Sequence, residues 1–258
     1  MDQSLFRILL HTYALSGILG RHVFMSLPRN WTDAQAVCRA TYTDLSPVTS
    51  WRDTTRLYQA SRGRLYNSWV GLHRTSPNSS VWRWSGGGIA TIYQCWEFGE
   101  PNNWGGGEAA VEIYASGRWN DVGESFELPF FCISLLVVSE TMRWEEALEH
   151  CRGRQSDLLG MPSDTKLLLA LRDLQKTNTT QRVWIGLRYL RSRWLWVNGN
   201  PMQFQGWSTA RGTPGITGEN THPQYPHCPI LDEACGAMTR QGVWEARDCQ
   251  EELSFICD

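Results

Sequence analysis

The chain has 258 residues, of which 41% are hydrophobic and 19% charged, and its net charge is −2 at neutral pH. That length suits one large domain or two ordinary ones. The near-neutral balance gives no reason to expect binding to nucleic acid or to an anionic membrane.

The N-terminal segment MDQSLFRILLHTYALSGILG carries an apolar stretch from Leu5 to Leu19 that ends in small residues. Residues 1–20 therefore read as a secretory signal peptide, although Arg7 and His11 interrupt the apolar run, and a first strand or helix of the fold is the alternative. No later stretch approaches the ~18–20 apolar residues of a membrane span. Eight cysteines without a CxxC pair argue for disulfides formed in an oxidising compartment. Three N-x-[ST] sequons, at Asn30, Asn78 and Asn178, agree with a secreted, extracellular glycoprotein.

The predicted elements then occur twice. A helix capped by a Thr32-x-x-Gln35 box, with Ala34, Val37 and Cys38 on one face, opens the first unit. A second helix follows around 51–61, and then short aromatic and β-branched runs separated by Gly, Pro and Asn read as strands and loops. Trp144, Ala147, Leu148 and Cys151 repeat the first helix, and residues 165–175 repeat the second. The landmarks recur in order: Trp31 and Trp144 each precede a cysteine by seven residues, WVGL at 69–72 answers WIGL at 184–187, and VWRWSGG at 81–87 answers RWLWVNG at 193–199. Trp119 and Trp244 each lie 13 residues before a cysteine. The expected architecture is α+β, two tandem units of helices followed by a loop-rich antiparallel sheet, spanning 22–133 and 134–258.

Residues 99–121, GEPNNWGGGEAAVEIYASGRWND, gather acids and amides around three glycines, with Arg118 as the sole basic residue. Such a stretch is either a solvated acidic loop or a cage for a hard cation. Taken together, W-[VI]-G-L, E-P-N, W-N-D and a closing F-x-C resemble the motif run of C-type lectin-like domains. The first unit resembles them along its full length and the second with a degraded centre, in the manner of tandem C-type lectins and mannose-receptor-like proteins.

The resemblance implies a Ca²⁺ ion held by Glu100, Asn102, Glu108, Asn120 and Asp121, with the Asp121 carbonyl and two sugar hydroxyls completing a shell of hard oxygen donors. The same side chains would bind the sugar. Each hydroxyl of a vicinal diol can give a lone pair to calcium, accept from an amide and donate to a carboxylate. Glu-Pro-Asn accompanies mannose, fucose and N-acetylglucosamine in the family, with a cis bond before the proline. Trp104 either stacks on the sugar or packs on the Gly105-Gly106-Gly107 turn. The family pattern also implies disulfides Cys38–Cys132, Cys151–Cys257 and Cys235–Cys249. The first unit lacks the inner bridge, since Ala110 and Glu124 stand at its positions, so calcium is expected to help order the loop. A second calcium site is not expected, because Asn103 and Ala109 replace its carboxylates.

Cys95 and Cys228 remain after those pairings, either bridging the two units or pairing between molecules. In the second unit ARGTPG replaces Glu-Pro-Asn, and Trp244-Glu245-Ala246 replaces Trp-Asn-Asp. Glu219, Asn220, Asp232 and Glu233 match no ligand spacing, and His222 and His227 are read as loop polarity rather than a zinc site. The second unit is then a spacer or a contact surface for a protein partner. No GxSxG, HExxH or phosphate loop argues for an enzyme. The expected function is calcium-dependent binding of glycans or glycoproteins through the first unit. One such site should be weak, about −4 kcal/mol for a millimolar affinity, so oligomers or dense targets are expected. The rival is a lectin-like fold used for protein recognition.

Overall fold

The computed structural model describes residues 22–63, 67–88, 90, 93–161, 163–202, 204–207 and 234–258. The proposed signal segment, Cys228 and the second unit's candidates from ARGTPG to Glu233 lie outside them. The chain divides into two compact units between Leu135 and Leu136.

The first unit begins with β1 (His22–Arg29) and α1 (Trp31–Thr41). Asn30 caps α1: its Oδ1 accepts from the Asp33 N–H at 2.9 Å and its Nδ2 donates to Asp33 Oδ2 at 2.8 Å. The cap expected at Thr32 therefore sits two residues earlier, and Thr32 is inside the helix. Asn30 prevails because Trp31 is the first residue of the buried face; Trp31, Ala34 and Cys38 recur at helical spacing against the sheet. After β2 (Asp44–Leu45) comes α2 (Trp51–Ala60), capped by Ser50 Oγ accepting from Asp53 N at 3.3 Å. The remaining strands are β3 (Ser68–His73), β4 (Arg83–Trp84), β5 (Ala110–Ile113), β6 (Trp119–Val122) and β7 (Leu128–Ile133).

These strands form one sheet in the order β1-β7-β3-β5-β6, with β2 added to β7 and β4 to β3. All its pairings are antiparallel except β3 with β7. The second unit repeats the plan with β8 (Leu136–Met142), α3 (Trp144–Gly153), α4 (Asp164–Lys176), β9 (Arg182–Leu190), β10 (Arg193–Trp196), β11 (Ala234–Thr239), β12 (Trp244–Arg247) and β13 (Leu253–Cys257). Its order is β12-β11-β9-β13-β8, again with one parallel pair, β9 with β13.

The repeated tryptophans are structural in both units. Trp31 Nε1 donates to the Val70 carbonyl at 3.0 Å and Trp144 Nε1 to that of Ile185 at 2.9 Å, pinning the first helix to the central strand. In return Trp69 reaches the Arg29 carbonyl at 2.8 Å and Trp184 that of Met142 at 2.9 Å. An indole buries a large apolar surface and must place one N–H, and all four of these find a carbonyl. Trp119 meets Trp84 edge-on at 5.9 Å, and Trp244 meets Trp196 at 5.2 Å.

The glycine of the W-x-G-L motif has a steric cause. A Cβ on Gly71 would lie 2.9 Å from the Leu45 carbonyl oxygen, and one on Gly186 would lie 2.6 Å from that of Leu158. Backbone lies behind both oxygens, so alanine at either position overpacks the core at a cost of about 1–3 kcal/mol. Disulfides join Cys38 to Cys132, Cys151 to Cys257 and Cys235 to Cys249. Cys95 is half-buried and bonds to no described cysteine.

Candidate metal centre

The oxygen-rich loop packs against the sheet edge made by β5 and β6. In that hairpin Ala110 faces Val122, and Glu112 faces Asn120. The loop enters through a cis Glu100–Pro101 bond and turns at Asn103, whose φ of +50° is a left-handed value that asparagine tolerates. Gly105 and Gly106 continue the turn at φ +68° and +76°, where a side chain would be strained.

Four of the five ligands expected from the sequence are joined by shared hydrogen bonds. Asp121, fully buried, accepts from Asn102 N through Oδ1 at 2.9 Å and from Asn103 N through Oδ2 at 3.1 Å. Glu100 accepts from Asn102 N at 3.1 Å and from Asn102 Nδ2 at 2.8 Å. Trp104 N is shared between Asn102 Oδ1 at 2.7 Å and Glu108 Oε2 at 2.6 Å. Asn120 joins through a different neighbour, its Nδ2 donating to Glu112 Oε1 at 3.0 Å. That bond uses the amide nitrogen and leaves the carbonyl oxygen as the atom suited to a cation.

The carboxylates of the site outnumber the buried cation beside them, Arg74, which pairs with Asp121 at 2.8 Å. Burial pushes the Glu100 carboxyl up, and the adjoining Asp121 and Glu108 carboxylates push it further. Glu108 is raised by burial first, and also by Asp121 and Glu112, while the Arg74 charge pulls it down. Burial raises Glu112 as well, against hydrogen bonds from Asn120 and Asn67. Glu100 and Glu108 are raised by burial first and by neighbouring carboxylates second, and a hard cation placed among them would offset that repulsion. The donor set, carboxylate and amide oxygens alone, suits Ca²⁺ rather than zinc or copper. The residues present fit the ion.

Trp104 is 81% exposed, and nothing lies within 4 Å of the Cβ positions of Gly105, Gly106 or Gly107. Its ring therefore does not pack on the glycine turn, and its face is open to solvent. Phe98, 97% exposed and two residues before Glu100, is a second open aromatic on this loop. Sequence reasoning missed Phe98, Glu112 and Arg74. The aromatic beside Glu-Pro-Asn was the one readable signal among the three. Where a second calcium site would need carboxylates, Asn103 Oδ1 accepts from Glu108 N at 3.1 Å, its Nδ2 donates to the Pro77 carbonyl at 3.1 Å, and Ala109 is buried.

In the second unit the corresponding strand position to Asp121 is Ala246, and Glu245, which stands where Asn120 does, is ion-paired with Arg182. That pairing uses the acid within the protein. Ala110 and Glu124 occupy the places of Cys235 and Cys249: Trp31 N bonds the Glu124 carbonyl at 3.0 Å as Trp144 N bonds that of Cys249 at 3.1 Å.

Comparison with known proteins gives the family. The family model described as Lectin C-type domain matches residues 27–133 and again 140–258. Human C-type mannose receptor 2 is 23% identical over 88% of this chain and 18% of its own length, and human lymphocyte antigen 75 is 21% identical over 88% and 14%. The chain thus spans less than a fifth of the length of these two relatives. The chicken hepatic lectin is 31% identical over 44% of this chain and 54% of its own. Among solved structures, the mouse scavenger receptor C-type lectin carbohydrate-recognition domain is 27% identical, covers 43% of this chain and 86% of its own, and has a TM-score of 0.39.

Proposed function

The chain belongs to the C-type lectin family, and on that premise we propose that its first unit binds carbohydrate in a calcium-dependent manner, with preference for mannose, fucose and N-acetylglucosamine. The observation that carries this reading is the chain of hydrogen bonds that links Glu100, Asn102 and Glu108 of the loop to Asp121 of β6. Bound there, Ca²⁺ would supply a Lewis-acidic centre with coordination positions left for two vicinal hydroxyls.

The protein's own part is orientation. Glu100 and Glu108 present acceptors for hydroxyl protons, while Asn102 and Asn120 present amide groups that donate to the same oxygens. An acid and an amide on each side of the ion favour one diol geometry over its mirror arrangement, and this is the basis of sugar choice. Asp121 lies deepest and holds the Asn102 and Asn103 backbone, so it anchors the loop from beneath. The open face of Trp104 offers an apolar platform for the sugar ring's C–H surface.

The second unit keeps the frame without the ligands. Ala246 and the Arg182-paired Glu245 support its reading as a spacer or a protein-contact module. A secreted, extracellular setting accords with the three disulfides, and among the described residues no helix is long and apolar enough to cross a membrane. A single weak site would gain useful avidity from several copies in one assembly or from a dense glycan target. A glycan array run with and without chelator tests the assignment. Mannose-type or fucose-type signal that vanishes with chelator is expected, and equal signal in both conditions would remove the mechanism.

A further inference from the structure

We propose that Arg74 is the resident cation of this site, a positioning residue whose guanidinium holds Asp121 and the Glu108 backbone in place before any divalent ion arrives. The inference rests on the calcium reading above, but concerns how the protein prepares the loop.

Arg74 directly follows β3 and is only 7% exposed. Its Nε and Nη2 donate to the Glu108 carbonyl at 2.8 and 2.6 Å, and Nη2 also donates to Asp121 Oδ2 at 2.8 Å. Nη1 reaches the Ser79 carbonyl at 3.3 Å, and the guanidinium stacks over the Trp82 ring at 4.5 Å. One planar fork thus ties two of the expected ligand residues to the central strand. A lysine ammonium, a point charge on a flexible stem, cannot repeat that geometry. Asp121 in turn holds the Asn102 and Asn103 amides. Arg74 therefore restrains a loop that has no inner disulfide.

The repeat provides an internal control. Strand register matches Asp121 to Ala246, and because His73 pairs with Ala110 as Arg188 pairs with Cys235, it matches Arg74 to Tyr189. Both members of the ion pair are absent together in the unit that lacks the ligand set and keeps the Cys235–Cys249 bridge. A guanidinium retained only as general packing would have no reason to follow the ligands.

Hydrogen exchange on the full chain in chelator, followed by calcium titration, tests the idea. In calcium-free wild type the Asn102, Asn103 and Trp104 amides should exchange well below unstructured-peptide rates. Arg74→Met should lose that protection while amides of β3 and β5 keep theirs, and its calcium affinity should fall about 10–100-fold, the usual consequence of removing a group that orients a metal ligand. Arg74→Lys should recover only part of both. The proposal is overturned if the wild-type loop exchanges at peptide rates without calcium, a result independent of how any variant folds. It is overturned equally if Arg74→Met leaves loop protection and affinity unchanged, or binds calcium more tightly. Wild type that takes up no calcium would instead remove the reading of the preceding section, with the exchange data still deciding whether Arg74 orders the loop.

Discussion

Two carboxylates of the same site should respond to neutralisation with opposite effects on stability. Asp121 is fully buried, pairs with Arg74 at 2.8 Å and accepts two backbone N–H groups. In Asp121→Asn the new NH₂ group faces donors, and Arg74 loses its charged partner in a water-poor setting. Breaking a buried pair from one side costs about 3–5 kcal/mol. For a unit of this size, at about 4 °C per kcal/mol, the calcium-free Tm of the first unit should drop by roughly 12–20 °C. Glu100 behaves differently because its folded-state pKa is raised by burial and by neighbouring carboxylates. A raised carboxyl contributes stability at low pH that is lost as pH rises through the folded pKa. At neutral pH the charged Glu100 therefore works against the calcium-free fold, and Glu100→Gln should leave Tm unchanged or raise it. Saturating calcium, about 2.7 kcal/mol at a hundredfold excess over Kd, should stabilise wild type and neither variant to that extent. Differential scanning calorimetry in chelator and in calcium reads all of this. An Asp121→Asn protein that melts with wild type in chelator, or a Glu100→Gln protein that falls beside it, would refute the reasoning.

Other consequences are equally direct. Because Glu100 and Glu108 are both raised from 4.5 in the metal-free protein, protons compete for the site above the ordinary carboxylate range. Calcium affinity should therefore decline early on acidification, and an affinity that stays flat down to pH 4.5 in a calcium-electrode titration would contradict this. Glycan occupancy should be uneven: Asn78 and Asn178 are exposed, whereas Asn30 spends its amide on the α1 cap. Peptide mapping after enzymatic deglycosylation should find label at Asn78 and Asn178, and full occupancy of Asn30 would show that the cap yields. The paired change Glu100→Gln with Asn102→Asp exchanges acid and amide about the diol and should move the glycan-array profile toward galactose; an unaltered profile would sink the diol argument.

Much of the fold is legible because its determinants are local or repeated. The helical spacing of Ala34, Val37 and Cys38 marks the packed face, on which Val37 is only partly buried and Trp31 joins, and W-x-G-L stands out as a repeated landmark whose steric cause, the Leu45 and Leu158 carbonyls, only coordinates reveal. The first cap is not decided by sequence, because Thr32-x-x-Gln35 fits the local pattern as well as Asn30 does, and only the burial of Trp31 selects Asn30. In the site, the loop's oxygen-rich composition is plain from sequence, but its supporting contacts are not. Arg74 and Asp121 are 47 residues apart, and no local pattern links them. Glu112 reaches Asn120 only once β5 and β6 pair in their observed register. Exposure, which frees Trp104 from the glycine turn, is likewise a tertiary property.

The most direct measurement is calorimetric titration of calcium into the full chain with and without methyl mannoside. The account predicts one calcium bound at the first unit and a tighter Kd when the sugar is present, with both lost in Asp121→Asn and the sugar effect absent in Glu100→Gln. Calcium binding that sugar leaves unchanged would contradict it.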